Sequence, residues 1–261
     1  MNTDFVLCSI SDGIATLTLN NPPMNVVTLG LTMALGQALD RLEADDTVRA
    51  VVLTGAGTRA FCAGSDVREF ADMMAPGQIV PKKLQRQNEV FFQLDRFPKP
   101  TIAAINGLAY GGGLEIALCC DLIVVEQRSR LALPEIKLGV FPSSGGTFRA
   151  ARRIGEGRAK ELIFLGEPVD AKTALNWGLV NRVCDDGQSL VVARSLAETL
   201  VQRPRMALRL AKSVIDLAFE VTEEDALRAS FAASDQAFSS AESKEGVRAF
   251  FAKEVPDFSN I

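Results

Sequence analysis

Between Pro100 and Asp121 the chain reads PTIAAINGLAYGGGLEIALCCD, and this stretch narrows the possible folds more than any other. Thr101 to Asn106 is an apolar run of strand length. Gly107 to Gly113 holds four glycines. Leu114 to Cys120 is apolar except for Glu115, the one charged residue between Pro100 and Cys120. A strand, a glycine turn and the start of a buried helix leave the first helical amides without partners, which suits an anion or an oxyanion. Consecutive glycines let another atom come close to the backbone. A carboxylate among Leu114, Ile116 and Ala117 is expected to be buried, and such a group is seldom kept without a partner or a task.

Composition removes several chemistries. The sequence has no histidine, which excludes a histidine-based triad and histidine-ligated zinc. An acid or base at neutral pH must then be a carboxylate, lysine, cysteine or Tyr110, the single tyrosine. No metal site is expected. A net charge of -4 argues against a nucleic-acid or anionic-membrane partner. No run approaches the roughly 18 apolar residues of a membrane span, and MNTDFVLCSISDG lacks the pattern of a signal peptide. Five cysteines without a CxxC pair suggest reduced thiols in a cytoplasm.

At 261 residues the chain suits one main domain with an appendage. Strand-like runs at Phe5–Ile10 and Ile14–Asn20 flank a Ser-Asp-Gly turn. Thr28 is set to cap a helix whose stripe is Leu31, Leu35, Leu39 and Leu42. A strand follows at Ala50–Thr54. Helices are expected at Asp66–Met74, Gln78–Leu94, Ser143–Arg153, Gly157–Leu165 and Asp170–Trp177. Strands are expected at Leu122–Val125, Leu131–Leu133 and Val180–Cys184. An order of strand, short strand or turn, then helix recurs about four times before residue 155, giving an α/β class with mostly parallel strands. From Ser189 onward the pattern is helical. We place a boundary near Pro204, dividing a 1–203 core from a 204–261 helical region.

Four places could carry chemistry. Gly55-Ala-Gly57-Thr-Arg-Ala60 fits a loose dinucleotide fingerprint, but no clean helix follows and no acidic strand end lies about 20 residues on, so it reads as a turn. In Phe61-Cys-Ala-Gly-Ser65-Asp66, the Ser65 amide precedes a helix start and is free for an anion, while Asp66 caps. Gly111-Gly112-Gly113-Leu114-Glu115 and Leu133-Pro134-Glu135-Ile136 supply two carboxylates that could divide the handling of one water or one proton. Ser143-Ser144-Gly145-Gly146 lacks a base for a nucleophilic serine and reads as a turn. Cys119 and Cys120 read as core, and Arg203, Arg205, Arg209 and Lys212 as a solvated face.

Lys99 to Glu115, Ala60 to Asp66 and Pro134 to Gly139 together resemble the motifs of the enoyl-CoA hydratase/isomerase (crotonase) family. Gly145 to Thr147 and Gly166 to Val180 extend the likeness over nearly the whole chain. The resemblance implies a crotonase-like spiral of ββα units, with an α-helical C-terminal region that packs homotrimers, often paired into hexamers. It implies an acyl-CoA thioester as substrate, so that CoA enters with the substrate and no separate cofactor is needed. Ser65 and Gly112 would supply an oxyanion hole for the thioester carbonyl. Glu115 would act as base and Glu135 as acid in adding water to a 2-trans-enoyl-CoA. Double-bond isomerisation and carnitinyl-CoA-type dehydration are the rival chemistries of the family. The resemblance also implies that Val26, Ala63, Gly64, Asp66, Val67, Gly111, Pro134 and Ser143 bind the substrate, with Ser143 beside the reacting carbons. Two departures stand out: Ser143 occupies a position where hydratases often have glycine, and of the family's closing Glu-Lys-Arg triplet only Lys253 remains to meet CoA phosphates, across a subunit boundary.

Overall fold

The computed structural model describes residues 4–258 and 261. It opens with a hairpin, β1 (Val6–Ser11) paired antiparallel to β2 (Ile14–Leu19). Helix α1 (Leu29–Ala44) follows, capped by Thr28, whose hydroxyl accepts from the Leu31 amide at 3.1 Å. Its buried stripe includes Leu31, Leu35, Leu39 and Leu42, each contributing about 1.5–3 kcal/mol by leaving water. Next come β3 (Ala50–Gly55), β4 (Ala60–Cys62) and α2 (Gln85–Asp95), then β5 (Thr101–Ile105), β6 (Leu108–Tyr110) and α3 (Gly112–Leu118). The next unit is β7 (Leu122–Glu126), β8 (Arg130–Ala132) and α4 (Gly146–Leu165). After β9 (Val169–Asp170), α5 (Ala171–Trp177) and β10 (Arg182–Cys184), the chain is helical among the described residues: α6 (Ser189–Val201), α7 (Arg205–Asp216), α8 (Glu223–Ser239) and α9 (Ala241–Ala252).

The strands sort by their place in each unit. First strands build one sheet in the order β1-β2-β3-β5-β7-β10, and second strands build another in the order β4-β6-β8-β9. A lone parallel bridge between Val27 and Ser65 continues the second sheet towards the first unit. Each turn of the chain therefore advances both sheets by one strand, which is a spiral of ββα units. The central strands β3, β5 and β7 read as largely apolar runs because both of their faces are covered. Val51, Leu53, Ala103 and Ile105 join the main core on one face. Ala50, Val52, Ile102 and Ala104 pack under Ala193, Ala197 and Val201 of α6 on the other.

Several expected helices come out differently. Residues 66–74 form a tight 3-10 helix, Val67–Met73, with Asp66 as its cap. The run expected as one helix over 78–94 begins as a π-helical turn, Val80–Leu84, before α2 proper. The helix expected from Ser143 begins at Gly146, because the Ser144 and Gly146 amides turn inward to Glu115. It runs on through the segment expected as a second helix, with a break at Gly155 (φ 76°, ψ 162°). Lys212 is not on a solvated face: it pairs with Asp121 at 2.9 Å, with its side chain only 14% exposed.

Candidate active site

A cavity of about 680 Å³ opens where the N-terminus of α3 meets the turn after β8 and the segment 67–84. Its floor comes from the glycine stretch. Gly111 holds φ 48°, and a Cβ there would stand 2.9 Å from Glu135 Oε1, so the turn admits glycine alone. A Cβ on Gly113 would overlap the Cys62 carbonyl oxygen, which shows how tightly α3 seats on β4.

That seating brings two separate motifs together. A Cβ on Gly112 would lie 3.6 Å from the Ser65 nitrogen. Gly112 is the first residue of α3, where an amide has no intrahelical acceptor. Ser65 sits between the two bonds of the Val27 bridge, Val27 N to Gly64 O and Asp66 N to Val27 O, and among the described residues its own nitrogen bonds to no other backbone segment. Two neighbouring amides beside one cavity can hold one oxygen that gains negative charge.

The two carboxylates line the same cavity in unlike surroundings. Glu115, 3% exposed, accepts at Oε1 from the Ser144 amide at 2.8 Å and the Gly146 amide at 2.9 Å. Burial pushes its carboxyl up, against those two amides and the nearby Arg149 guanidinium. Arg149 is itself buried and fixed by Asp95 at 2.9 Å. Glu135 stands at the start of a 3-10 turn, Pro134–Leu138, and its Oε2 is buried without a hydrogen-bond partner among the described residues. Burial first, and then the charge of Glu115, raise its carboxyl to about 7.

Ala63, Gly64, Ser65, Val67, Gly111 and Gly112 all line the cavity. So do Glu115, Pro134, Glu135 and Ser143. Three expected residues do not. Asp66 turns away to bind Arg68 at 2.6 Å and to cap the Val67–Met73 turn. Val26 is half-buried, with its carbonyl taken by Asn21 Nδ2 at 2.8 Å. Lys253 is exposed at the left-handed cap of α9. Among the described residues no group of three or more Cys, Asp or Glu side chains is placed to hold a metal ion.

Sequence reasoning passed over Lys83 and Gln87, each 2% exposed and both lining the cavity. Lys83 binds Glu69 at 2.5 Å, and Gln87 Nε2 donates to Ser144 Oγ at 2.7 Å. The signal was available: Lys83, Gln87, Val90, Phe91 and Leu94 fall at i, i+4, i+7, i+8 and i+11, a single buried stripe. Two polar residues on such a stripe need partners or a ligand.

Comparison with known proteins identifies the family of the chain. The family model for enoyl-CoA hydratase/isomerase matches residues 9–260. A short-chain-enoyl-CoA hydratase of Clostridium acetobutylicum is 34% identical, with 100% of both chains covered. A 1,2-epoxyphenylacetyl-CoA isomerase of Escherichia coli is 35% identical, with 98% of each chain covered. Among solved structures, DspI of Pseudomonas aeruginosa superimposes with a TM-score of 0.93 at 36% identity, covering 98% of this chain and 97% of that one. An enoyl-CoA hydratase of Geobacillus kaustophilus gives 0.94 at 30% identity, covering 100% and 98%. The spiral of ββα units is the crotonase fold, and this chain belongs to the enoyl-CoA hydratase/isomerase family.

Proposed function

We propose that this protein reversibly adds water to 2-trans-enoyl-CoA thioesters, giving 3-hydroxyacyl-CoA. The observation that carries this reading is the convergence of Glu115 and Glu135 on one cavity, the first held by two amides and the second without a donor on Oε2. The amides of Ser65 and Gly112 take the thioester oxygen, so charge pushed out of the C2–C3 double bond collects there; one such donor is worth roughly 3 kcal/mol. Glu115, with amides and Arg149 facing it, is the partner better able to hold charge, and it takes a proton from water as the oxygen attacks C3. Glu135, with its raised carboxyl, delivers a proton to C2. Proton exchange through the pair then restores the starting state.

The thioester brings its CoA with it, so no separate cofactor is required. Phe238, Phe250 and Phe251 on α8 and α9 are exposed, which supports a homotrimer or a pair of trimers formed through the 204–261 region, with Lys253 reaching the CoA phosphates of a neighbour. A cytoplasmic setting suits such a substrate. Double-bond isomerisation is the second reading, since the family that the chain matches spans hydratases and isomerases. It uses the same amides and needs only one carboxylate.

Loss of the conjugated-thioester absorbance of crotonyl-CoA decides between them, measured on wild type and Glu135→Gln. Rapid loss in wild type, with at least about a 10²-fold drop in the variant at retained acyl-CoA binding, is expected. Turnover kept by the variant would sink the paired-glutamate mechanism. No loss in wild type despite binding would transfer the assignment to isomerisation.

A further inference from the structure

The wall of the cavity is mostly apolar, with Val67, Phe70, Met73, Ile79, Leu84 and Phe141 among its residues. Gln87 interrupts it. The side chain is 2% exposed and is held at one end, where Nε2 donates to Ser144 Oγ at 2.7 Å. Its other end, Oε1, is buried without any partner among the described residues. Ser144 is 1% exposed, and its amide is one of the two that hold Glu115. Gln87 therefore stands one residue from the carboxylate beside the reacting carbons. A buried amide left half-satisfied costs about 1–3 kcal/mol, and an aliphatic side chain there would avoid that cost.

We propose that Gln87 is a specificity-determining residue of this site, and that the acyl group it selects carries a hydroxyl beyond C3. The inference rests on the acyl-CoA reading above and names the substrate class within it. A hydroxyl suits the site because it both donates and accepts. The Ser144 hydroxyl can also do either, so whichever end of the Gln87 amide faces the acyl chain, a hydroxyl can answer it. An anionic acyl end fits poorly. The one ammonium on the wall, Lys83, is already paired with Glu69 and also donates to Val27 O at 3.3 Å. Glu115 and Glu135 stand nearby in the same cavity.

Saturated thioesters test this without any hydration step. Calorimetric binding would compare hexanoyl-CoA with its 4-, 5- and 6-hydroxy derivatives and with adipoyl-CoA, whose chain ends in a carboxylate. At least one hydroxy thioester is expected to bind wild type about tenfold tighter than hexanoyl-CoA, and adipoyl-CoA weaker than either. Gln87→Met, close in volume, is expected to erase the preference while binding hexanoyl-CoA at least as well. Gln87→Leu provides a second variant should the first fail to fold. Hexanoyl-CoA binding as tightly as every hydroxy derivative would overturn the proposal and leave the hydratase reading standing. A preference that survives in the variants would also overturn the role of Gln87, and tightest binding of adipoyl-CoA would overturn the hydroxyl. Absence of binding by every thioester would overturn both readings.

Discussion

The floor of the cavity and its rim are built in different ways. The floor is Ser65, Gly112, Glu115 and Ser144, set at the ends of β4, β6 and α4 and at the start of α3, and fixed by strand pairing and buried amide bonds. The rim is the Val67–Met73 and Val80–Leu84 turns on one side and residues 136–141 on the other. Met74, Leu138 and Phe141 stay at least 60% exposed there. Groups that must meet a developing charge within a few tenths of an ångström need the first kind of support. Groups that only cover an acyl chain can be held by short turns.

If that division is right, the largest effects belong to the floor. Gly112→Pro deletes one amide at the first position of α3, where proline is otherwise accepted. Turnover of crotonyl-CoA should fall about 10²–10³-fold with an unchanged circular dichroism spectrum. Near-normal turnover by a folded variant would refute the oxyanion assignment.

Acidity is the next way to separate floor from rim. Burial and the charge of Glu115 raise Glu135 to about 7, so the folded site favours its protonated form. The contribution of this group to stability is full below the unfolded value, near 4.5, and is lost as pH rises through about 7. The hydration proposed above would need the same proton. Turnover should therefore decline towards tenfold per pH unit above about 7, and a flat profile from there upward would break the assignment of Glu135 as the acid.

The floor was also the part legible in the sequence. Four glycines and a carboxylate in one apolar stretch leave few arrangements, and Glu115 was recognisable as buried from its neighbours alone. The ββα repeat could be read because both sheet faces are apolar, so strands showed as continuous runs. The rim was misread: a polar helix over 78–94 hid a π-helical turn and the buried Lys83 and Gln87. Their partners, Glu69 and Ser144, lie 14 and 57 residues away in sequence. Local pattern cannot carry pairs at that separation. Asp66 is the opposite case: its role as a cap was legible locally, and the structure shows it capping and bound to Arg68, two residues on.

The Lys83–Glu69 pair tests how firmly the rim is tethered to the helical layer beside it. Glu69 also accepts from the Leu29 amide at 3.2 Å, so the pair ties the 67–84 segment to the start of α1. Lys83→Met leaves the half-buried Glu69 carboxylate without its ammonium and should cost about 2 kcal/mol of stability. Adding Glu69→Gln should recover most of the loss in a thermal melt. A fully additive double variant would show that the two residues are not coupled.

The smallest effect should come from the outermost rim. Leu138 lines the cavity but is 63% exposed, so Leu138→Ala should change stability by no more than about 0.5 kcal/mol. It removes apolar contact with the acyl chain that is alike in ground and transition states. KM for long-chain enoyl thioesters should then rise a few-fold while kcat stays constant, and crotonyl-CoA, with its four-carbon chain, should change less. A fall in kcat for both substrates would mean that the 3-10 turn carrying Leu138 also positions Glu135, three residues earlier on the same turn. The rim would then belong to the catalytic floor, and the division drawn between them would have to be moved outward.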